Sequence, residues 1–152
     1  MITKEQIIKF QEQWRDGLVK IGQLREDRPE CVRFTNEFLN ELYAFDLGPV
    51  LFKPTKVAAE QFRPTLKSAF SYFINDDKDF PEDTGFALTP WTNVAFENEL
   101  FILEEERALV MGNYFFTDPD GNIFKVEYTF GYRLYEGKLK VDLQHSSFPY
   151  SA

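Results

Sequence analysis

The chain contains a single histidine, which lies near its end in the run Gln144-His145-Ser146-Ser147. Side chains of a β-strand alternate between two faces, so His145 and Ser147 share one face if this segment is a strand, together with the apolar residues at alternate positions before them. An apolar row that ends in His and Ser is typical of the rim of a pocket. The alternation therefore predicts that His145 and Ser147 point into a pocket and that Gln144 and Ser146 point outward. A lone histidine on an apolar face is also typical of a hydrogen-bonded core residue, and the strand pattern leaves that alternative open.

The other reactive side chains narrow the chemistry of such a pocket. A zinc site needs three or four ligands drawn mainly from His and Cys, and the chain offers one of each, His145 and Cys31, far apart in sequence. The acidic runs Asp76–Asp79 and Glu104–Glu106 are typical of solvated surface, and no glycine-rich phosphate loop is present. We therefore predict no metal site and no cofactor. Neutral hydrogen-bonding groups around an apolar hole can still orient a small molecule and a water.

Composition limits the partners and the compartment. The 152 residues carry a net charge of −8 with a pI near 4.7, which disfavours nucleic acid and anionic membrane surfaces because both attract basic proteins. Hydrophobic residues make up 43% of the chain and include 17 phenylalanines, enough for a sizeable core in a single domain, 1–152. The single Cys31 cannot form an internal disulfide, and no signal peptide or membrane-spanning run is visible. We expect a cytoplasmic protein.

Three helices are predicted in the first half of the chain. Thr3 and Gln6 have the spacing of a capping box, and apolar residues recur at helical spacing over 7–21. A second helix is predicted over 29–43, with a proline in its first turn. A third helical pattern covers 57–73 and is interrupted by a proline, which indicates a kink or a restart.

The second half of the chain, residues 86–147, has the pattern of a β-meander. Turn sequences at 118–121 and 135–138 separate runs rich in Val, Ile, Phe and Tyr. The run 107–116 is apolar on both faces, which predicts that helices cover one face and a partner subunit the other, so we expect a homodimer. Helices followed by strands indicate an α+β fold, in which N-terminal helices pack on a curved antiparallel β-sheet and form a cone with an internal cavity.

The strand that carries His145 also resembles a family signature. Residues 140–150 resemble the His-His-Ser-Ser-x-Pro signature of the iota-class carbonic anhydrases, which are cone-shaped proteins of the nuclear-transport-factor-like superfamily related to the calmodulin-dependent kinase association domain. The resemblance spans residues 5–150 with order and spacing kept, and it implies a cystatin-like or SnoaL-like cone. Further similar segments are Gly48-Pro49-Val50-Leu51-Phe52-Lys53-Pro54-Thr55, Thr89-Pro90-Trp91-Thr92-Asn93, Gly112-Asn113-Tyr114-Phe115-Phe116 and Glu127-Tyr128-Thr129-Phe130-Gly131-Tyr132.

The resemblance implies a reaction and a set of site residues. The family hydrates carbon dioxide reversibly to bicarbonate, and it holds bicarbonate with a threonine, a tyrosine, and the His and second Ser of the signature. The catalytic residues that look equivalent here are Thr55, Tyr72, His145 and Ser147. The apolar wall of the substrate pocket is expected from Phe73, Trp91 and Tyr128. Gln144 stands where the signature usually has its first histidine, so the sequence favours a mechanism without metal.

Two other functions stay open at this point. The cone fold is reused for binding and for oligomerisation, so a non-catalytic small-ligand-binding or oligomerisation module is the main alternative. A dehydratase or isomerase with His145 as general base is a third possibility, but it needs a carboxylate partner, and no Asp or Glu lies on the predicted inward row. By the same alternation, Gln144 is expected to face away from the pocket, so its replacement would perturb the outer face.

Overall fold

The computed structural model describes residues 1–152 and contains three α-helices and a five-stranded β-sheet. The helices are α1 (Lys4–Gln23), α2 (Arg28–Leu42) and α3 (Leu66–Ile74). The strands are β1 (Leu51–Lys53), β2 (Asn93–Leu103), β3 (Arg107–Thr117), β4 (Ile123–Tyr135) and β5 (Lys138–Ser147). Two short 3-10 turns lie at Phe45–Leu47 and Phe86–Leu88. None of the helices combines the length and hydropathy that a membrane crossing requires.

Side chains at the helix starts explain where the first two helices begin. The Thr3 hydroxyl accepts a hydrogen bond from the Gln6 amide at 3.1 Å, and the Gln6 side chain accepts one from the Thr3 amide at 2.8 Å. This is the predicted capping box, which satisfies two amides that the helix itself leaves unpaired. Asp27 caps α2 by accepting from the Glu30 amide, with Pro29 in the first turn. The first two predicted helices are therefore confirmed.

The third helix is shorter than the sequence predicted. Helix was expected over 57–73, but α3 begins at Leu66, and residues 54–65 contain neither helix nor strand. Pro64 has no backbone N–H to donate, and Thr65 caps α3 by accepting from the Ser68 amide at 3.2 Å. The prediction was wrong before position 66, because these local signals start a helix there instead of continuing one.

The sheet has the order β1-β5-β4-β3-β2. Strands β2 to β5 form the predicted antiparallel meander, with turns at the two expected places. Strand β1 instead pairs with β5 in parallel, with Phe52 opposite Gln144, so the sheet is mixed and the prediction of a purely antiparallel sheet was wrong in this one pair. A parallel pair needs a long connection, which here runs through the whole of the chain between β1 and β5.

An irregularity in β5 decides which of its side chains face the helices. Gly131 of β4 pairs with Leu143, and the next residue of β4 pairs with Val141, so Asp142 is an extra residue in β5. Such a bulge moves every later side chain to the opposite face. Gln144 and Ser146 are consequently buried. The prediction that His145 and Ser147 point inward was wrong, since strict alternation does not survive the bulge; His145 is exposed and Ser147 half-buried on the outer face.

The core lies between the helices and the inner face of the sheet. Its 31 buried hydrophobic residues form one cluster, rich in aromatic rings. Trp14 of α1 lies at the centre and contacts aromatic rings from α2, β2, β3 and β4. Gly17 lies one turn further along α1 because a Cβ there would collide with the Phe38 ring. These large rings do not fill the core completely, and a small gap remains between α1, α3, β1, β3 and β5.

Candidate active site

The gap in the aromatic core is a small cavity with polar groups in its wall. Its lining residues are Trp14, Phe52, Pro54, Thr55, Tyr72, Phe73, Phe86, Tyr114 and Gln144. The cavity volume is about 10 Å³, which is close to the space that one water molecule needs. Eight of the nine residues are buried and Thr55 is half-buried, so Thr55 marks the side of the cavity that is nearest to solvent.

A chain of buried hydrogen bonds crosses one wall of the cavity. The Trp14 indole N–H donates to the Tyr43 hydroxyl at 3.0 Å, and that hydroxyl donates to the Gln144 side-chain oxygen. The Gln144 side-chain NH₂ donates to the Tyr114 hydroxyl at 3.2 Å, and Tyr114 shares a further hydrogen bond with the Ser146 hydroxyl. Every member is neutral and buried. The network therefore holds Gln144, Tyr114 and Ser146 in fixed orientations without a buried charge.

Thr55 and Tyr72 supply further polar groups in the cavity wall. The Tyr72 hydroxyl accepts a hydrogen bond from the Lys56 amide at 3.1 Å, which ties α3 to the segment that carries Thr55. Thr55, Tyr72 and Tyr114 line the same cavity, and the Thr55 side chain opposes the rise in pKa that burial causes in both tyrosine hydroxyls. The polar parts of Thr55, Tyr72 and Tyr114 therefore converge in one small space, although they come from three separate parts of the chain.

Burial controls the ionisation of the two tyrosines. Burial raises the pKa of Tyr114 to about 12, and hydrogen bonds from Ser146, Gln144 and Thr55 oppose that rise. Burial likewise raises the pKa of Tyr72 above its ordinary value, against hydrogen bonds from Lys56 and Thr55. Both phenols are therefore protonated at neutral pH, and each keeps an O–H that can be donated to an electron-rich oxygen.

Three of the seven residues expected from sequence line the cavity: Thr55, Tyr72 and Phe73. Trp91 does not line the cavity but packs on Phe86, which does. The centroids of the two rings are 5.5 Å apart, and the Trp91 N–H donates to the Phe86 carbonyl at 2.9 Å. The Tyr128 hydroxyl donates to the Asn98 side chain in a separate cluster.

His145 and Ser147 lie across the sheet from the cavity. Both line a groove of about 300 Å³ on the outer face, beside Met111 and Thr129. No hydrogen bond or ion pair connects the His145 side chain to another residue of the chain. The structure thus separates His145 and Ser147 from Thr55 and Tyr72 by the thickness of the sheet.

Sequence reasoning missed three polar residues of this site: Tyr114, Gln144 and Ser146. For Gln144 and Ser146, alternation selected the strand neighbours His145 and Ser147, so the error there is a shift of one position. Tyr114 was named only within the similar segment 112–116 and was given no role. Gly131 was the available signal, because an isolated glycine within a strand pattern often marks a bulge or a close approach of two chains. A Cβ at Gly131 would lie 2.8 Å from the Leu143 Cβ, so the close approach is real.

A second buried polar cluster lies between α1 and β2. Gln11 and Asn98 exchange two side-chain hydrogen bonds of 2.8 and 2.7 Å, and Gln11 also donates to Tyr128 and Tyr132 at 3.3 and 3.4 Å. It shares no residue with the cavity. No group of three or more His, Cys, Asp or Glu side chains in the chain is arranged so that it could hold a metal ion.

Comparison with solved structures defines the class of fold. A calcium/calmodulin-dependent protein kinase II association domain from Xanthomonas campestris superposes with a TM-score of 0.66 at 20% identity, covering 100% of this chain and 91% of that one. A nuclear-transport-factor-2-like protein from Pseudomonas putida KT2440 superposes with a TM-score of 0.56 at 17% identity, covering 97% and 87%. At these identities the likeness concerns the fold alone, and it confirms the predicted α+β cone.

Two further comparisons and a family model identify the family. The chain is 35% identical over 153 residues to the metal-independent carbonic anhydrase of Nostoc sp., covering 98% of this chain and 75% of the relative. The crystal structure of a cyanobacterial iota-carbonic anhydrase complexed with bicarbonate superposes with a TM-score of 0.95 at 34% identity, covering 99% and 94%. Residues 5–148 match the family model of metal-independent carbonic anhydrase. The chain therefore belongs to the metal-independent, iota-class carbonic anhydrases, as its resemblance to them predicted.

Proposed function

We propose that the chain catalyses the reversible hydration of carbon dioxide to bicarbonate in the aromatic cavity. The observation that carries the proposal is the convergence of Thr55, Tyr72 and Tyr114, with Gln144 behind Tyr114, inside an otherwise apolar hole. Carbon dioxide is small and apolar, whereas bicarbonate is an anion, so a site for both needs apolar walls and a few fixed donors. Family membership and the bicarbonate complex of the cyanobacterial relative support this reading.

The proposed chemistry assigns the donors to the charge that develops during hydration. The oxygen of a water forms a bond to the carbon of carbon dioxide, one carbon–oxygen double bond opens, and its electron pair remains on that oxygen. The Thr55, Tyr72 and Tyr114 hydroxyls donate hydrogen bonds to the carbon dioxide oxygens as they gain charge, and such donors work best when they are already in place. Phe52 and Phe73 provide the apolar wall.

The proton lost by the attacking water must leave the cavity. No carboxylate, imidazole or amine is among the nine lining residues, so a charged general base is not part of the proposal. The water donates instead to the neutral network, and the proton reaches solvent beside Thr55. This route makes the rate depend on the concentration of buffer outside, because the buffer must accept the proton.

Ser146 occupies the inward-facing position on β5 that alternation predicted for Ser147. Ser146 is buried and hydrogen-bonded to Tyr114, whereas Ser147 lies on the outer face. A catalytic role for His145 or Ser147 is still a prediction, and so is a part in the pocket wall for Trp91 and Tyr128. His145→Ala in the hydration assay tests the first, and retention of wild-type kcat would contradict it.

Stopped-flow measurement of carbon dioxide hydration tests the proposed function. Protein treated with a strong chelator is expected to accelerate hydration above the buffer rate, with Tyr72→Phe as the matched variant of reduced activity. Added zinc or manganese is expected to leave the rate unchanged. If neither the treated protein nor the metal-supplemented protein exceeds the buffer rate, the alternative of a non-catalytic binding module holds.

We further propose that two copies associate through the outer face of the sheet. Cross-strand pairing places Leu100, Met111, Thr129 and His145 in one row on this face, and the side chains of Leu100 and Met111 are 65% and 51% exposed. Exposed apolar side chains that lie next to each other, as Leu100 and Met111 do, are typical of a subunit interface. Light scattering of the wild type and of Met111→Glu tests it: a dimer that becomes a monomer is expected, and a monomeric wild type would contradict the proposal.

Two general expectations complete the proposal. One cluster of 31 buried hydrophobic residues supports folding of 1–152 as a single domain, which a single cooperative urea transition would test.

Cys31 is the one cysteine and is buried as a free thiol, which fits a reducing compartment such as the cytoplasm. Fractionation of cells that express a tagged chain tests the compartment.

A further inference from the structure

The cavity is bounded on its solvent side by Pro54 and Thr55, the first two residues of 54–65, a segment without helix or strand. This segment carries Thr55, the one lining residue that is not fully buried. It is fixed to β1 at its far end, where the Arg63 amide donates to the Phe52 carbonyl at 2.8 Å and the Val50 amide donates to the Pro64 carbonyl at 3.2 Å. The position of its first half needs a different explanation, because its amides have no strand or helix to pair with.

Glu82 supplies the partner for that half of the segment. One carboxylate oxygen accepts hydrogen bonds from the Ala58 and Ala59 amides at 2.7 and 3.2 Å, and the other accepts from the Glu60 amide at 2.7 Å. These bonds lower the pKa of the Glu82 carboxyl, that from Glu60 most strongly. Three consecutive amides on one carboxylate form a specific clasp, since backbone donors bind the charged acceptor more strongly than a neutral one.

A buried ion pair holds the loop that carries Glu82. Arg63 and Asp83 form two hydrogen bonds of 2.8 Å, with both side chains fully buried. The Ser71 hydroxyl of α3 donates to Asp83 at 2.7 Å, and Ser71 immediately precedes Tyr72. These bonds hold the backbone that carries Glu82 in place, while the Glu82 side chain itself is 21% exposed.

We propose that Glu82 is a positioning residue that clasps the 54–65 segment over the cavity and so keeps Thr55 in its working position. This inference rests on the proposed hydration activity. The connection is short, because the clasped amides begin three residues after Thr55, and the intervening Lys56 amide is bound to Tyr72. A cavity of about 10 Å³ must widen to hold a triatomic substrate, and the wall that carries Thr55 is the one nearest to solvent. The clasp limits how far that wall moves, so that Thr55 stays within reach of the bound substrate.

A matched pair of substitutions separates the clasp from a general effect of charge. Glu82→Gln keeps the size of the side chain but replaces one acceptor oxygen with an NH₂ that cannot accept an amide hydrogen bond. Glu60→Gln makes the same charge change on the segment itself, where the exposed Glu60 side chain has no hydrogen bond or ion pair. We expect Glu82→Gln to lower kcat/KM for hydration about tenfold, with kcat falling more than KM rises. Glu60→Gln is expected to stay within about twofold of wild type.

Combination with Thr55→Ala shows whether Glu82 acts through Thr55. If it does, Glu82→Gln has no further effect in the Thr55→Ala background, because the group that it positions is already absent. A full, multiplicative loss in the double variant would show that Glu82 acts through overall stability, and would overturn the inference.

Hydrogen exchange tests the clasp independently of activity. The amides of residues 58–60 are expected to exchange faster in Glu82→Gln than in wild type, while those of α1 stay unchanged. Unchanged exchange at 58–60 would overturn the clasp. A wild-type protein that fails to hydrate carbon dioxide would overturn the proposed function instead, and the exchange data would still decide whether Glu82 fastens the segment.

Discussion

Phe130 lies directly opposite Gln144 across strands β4 and β5, and both side chains face the helices. This pairing follows from the extra residue at Asp142, which reverses the alternation over the last part of β5. The Gln144 amide consequently lies between the hydroxyls of Tyr43 and Tyr114, while His145 is exposed on the far side. One irregularity in one strand thus decides that Gln144 and Ser146, rather than His145 and Ser147, lie on the cavity side of the sheet.

The two serines of the signature provide the most direct test of that orientation. Ser146→Ala removes the hydrogen bond that fixes the Tyr114 hydroxyl, a proposed donor to the developing charge, so we expect kcat/KM for hydration to fall about tenfold. Ser147→Ala changes the outer face and is expected to have little effect. Stopped-flow assays of both variants, with thermal unfolding to confirm that each is folded, measure the difference. A larger loss in Ser147→Ala would mean that β5 does not have this register.

Gln144 can be replaced by the histidine that the family signature usually has. A neutral imidazole can accept from Tyr43 with one nitrogen and donate to Tyr114 with the other, as the amide does. A protonated imidazole only donates, so it cannot accept from Tyr43. We therefore expect Gln144→His to keep activity above its imidazole pKa and to lose it as pH falls through that pKa, which is about 6.5 before burial lowers it.

The control for this prediction is Gln144→Leu, which has no polar group. It leaves the buried Tyr43 hydroxyl without an acceptor, and such a loss costs about 1 to 3 kcal/mol of unfolding free energy. A pH–rate profile of wild type, Gln144→His and Gln144→Leu shows whether activity is lost at low pH only when position 144 is a histidine. Equal pH dependence in wild type and Gln144→His would contradict the role of Gln144 as a simultaneous donor and acceptor.

Features that depend on a few neighbouring residues could be predicted from the sequence. The capping box of Thr3 and Gln6 is made within one helical turn, and the turns of the β-meander are made by adjacent residues. Thr55 and Tyr72 came from the family resemblance, and the structure brings both to the cavity. Local chemistry and family spacing together were enough for the first two helices, for the meander, and for Thr55 and Tyr72 in the cavity wall.

Features that depend on distant partners could not be predicted. The irregular segment 54–65 looks helical by its apolar spacing, yet its amides bind Glu82, which lies more than twenty residues further along the chain. The parallel pairing of β1 with β5 joins the first and the last strand in chain order. The bulge at Asp142 changes the sheet face without any change in composition. Each of these is fixed by tertiary contacts that override the local pattern.

The buried Arg63–Asp83 pair predicts a large effect on stability. Asp83→Asn removes the nearer carboxylate of the buried Arg63 guanidinium and leaves only Glu82, at 3.7 Å, as its anionic partner, which costs about 3 kcal/mol of unfolding free energy. Urea denaturation measures this loss. The exposed pair of Lys138 and Glu41, with its N–O distance of 3.0 Å, is the control, and Glu41→Gln is expected to cause no measurable change because solvent screens that pair. Similar losses in the two variants would contradict the burial of the Arg63–Asp83 pair.

Tyr114 predicts how stability changes at alkaline pH. Burial raises its pKa from 10.0 to about 12, so the folded state binds the phenol proton more tightly than the unfolded state does. The corresponding stabilisation is complete below the unfolded pKa of 10.0 and disappears as pH rises through about 12. Two pKa units correspond to about 3 kcal/mol for a fully buried phenol. Urea denaturation at a series of pH values, with tyrosinate absorbance to follow ionisation, is expected to show this decline. Tyr114→Phe lacks the titrating group, so its unfolding free energy should fall less steeply over the same range; an equally steep fall would assign the effect to the other buried tyrosines.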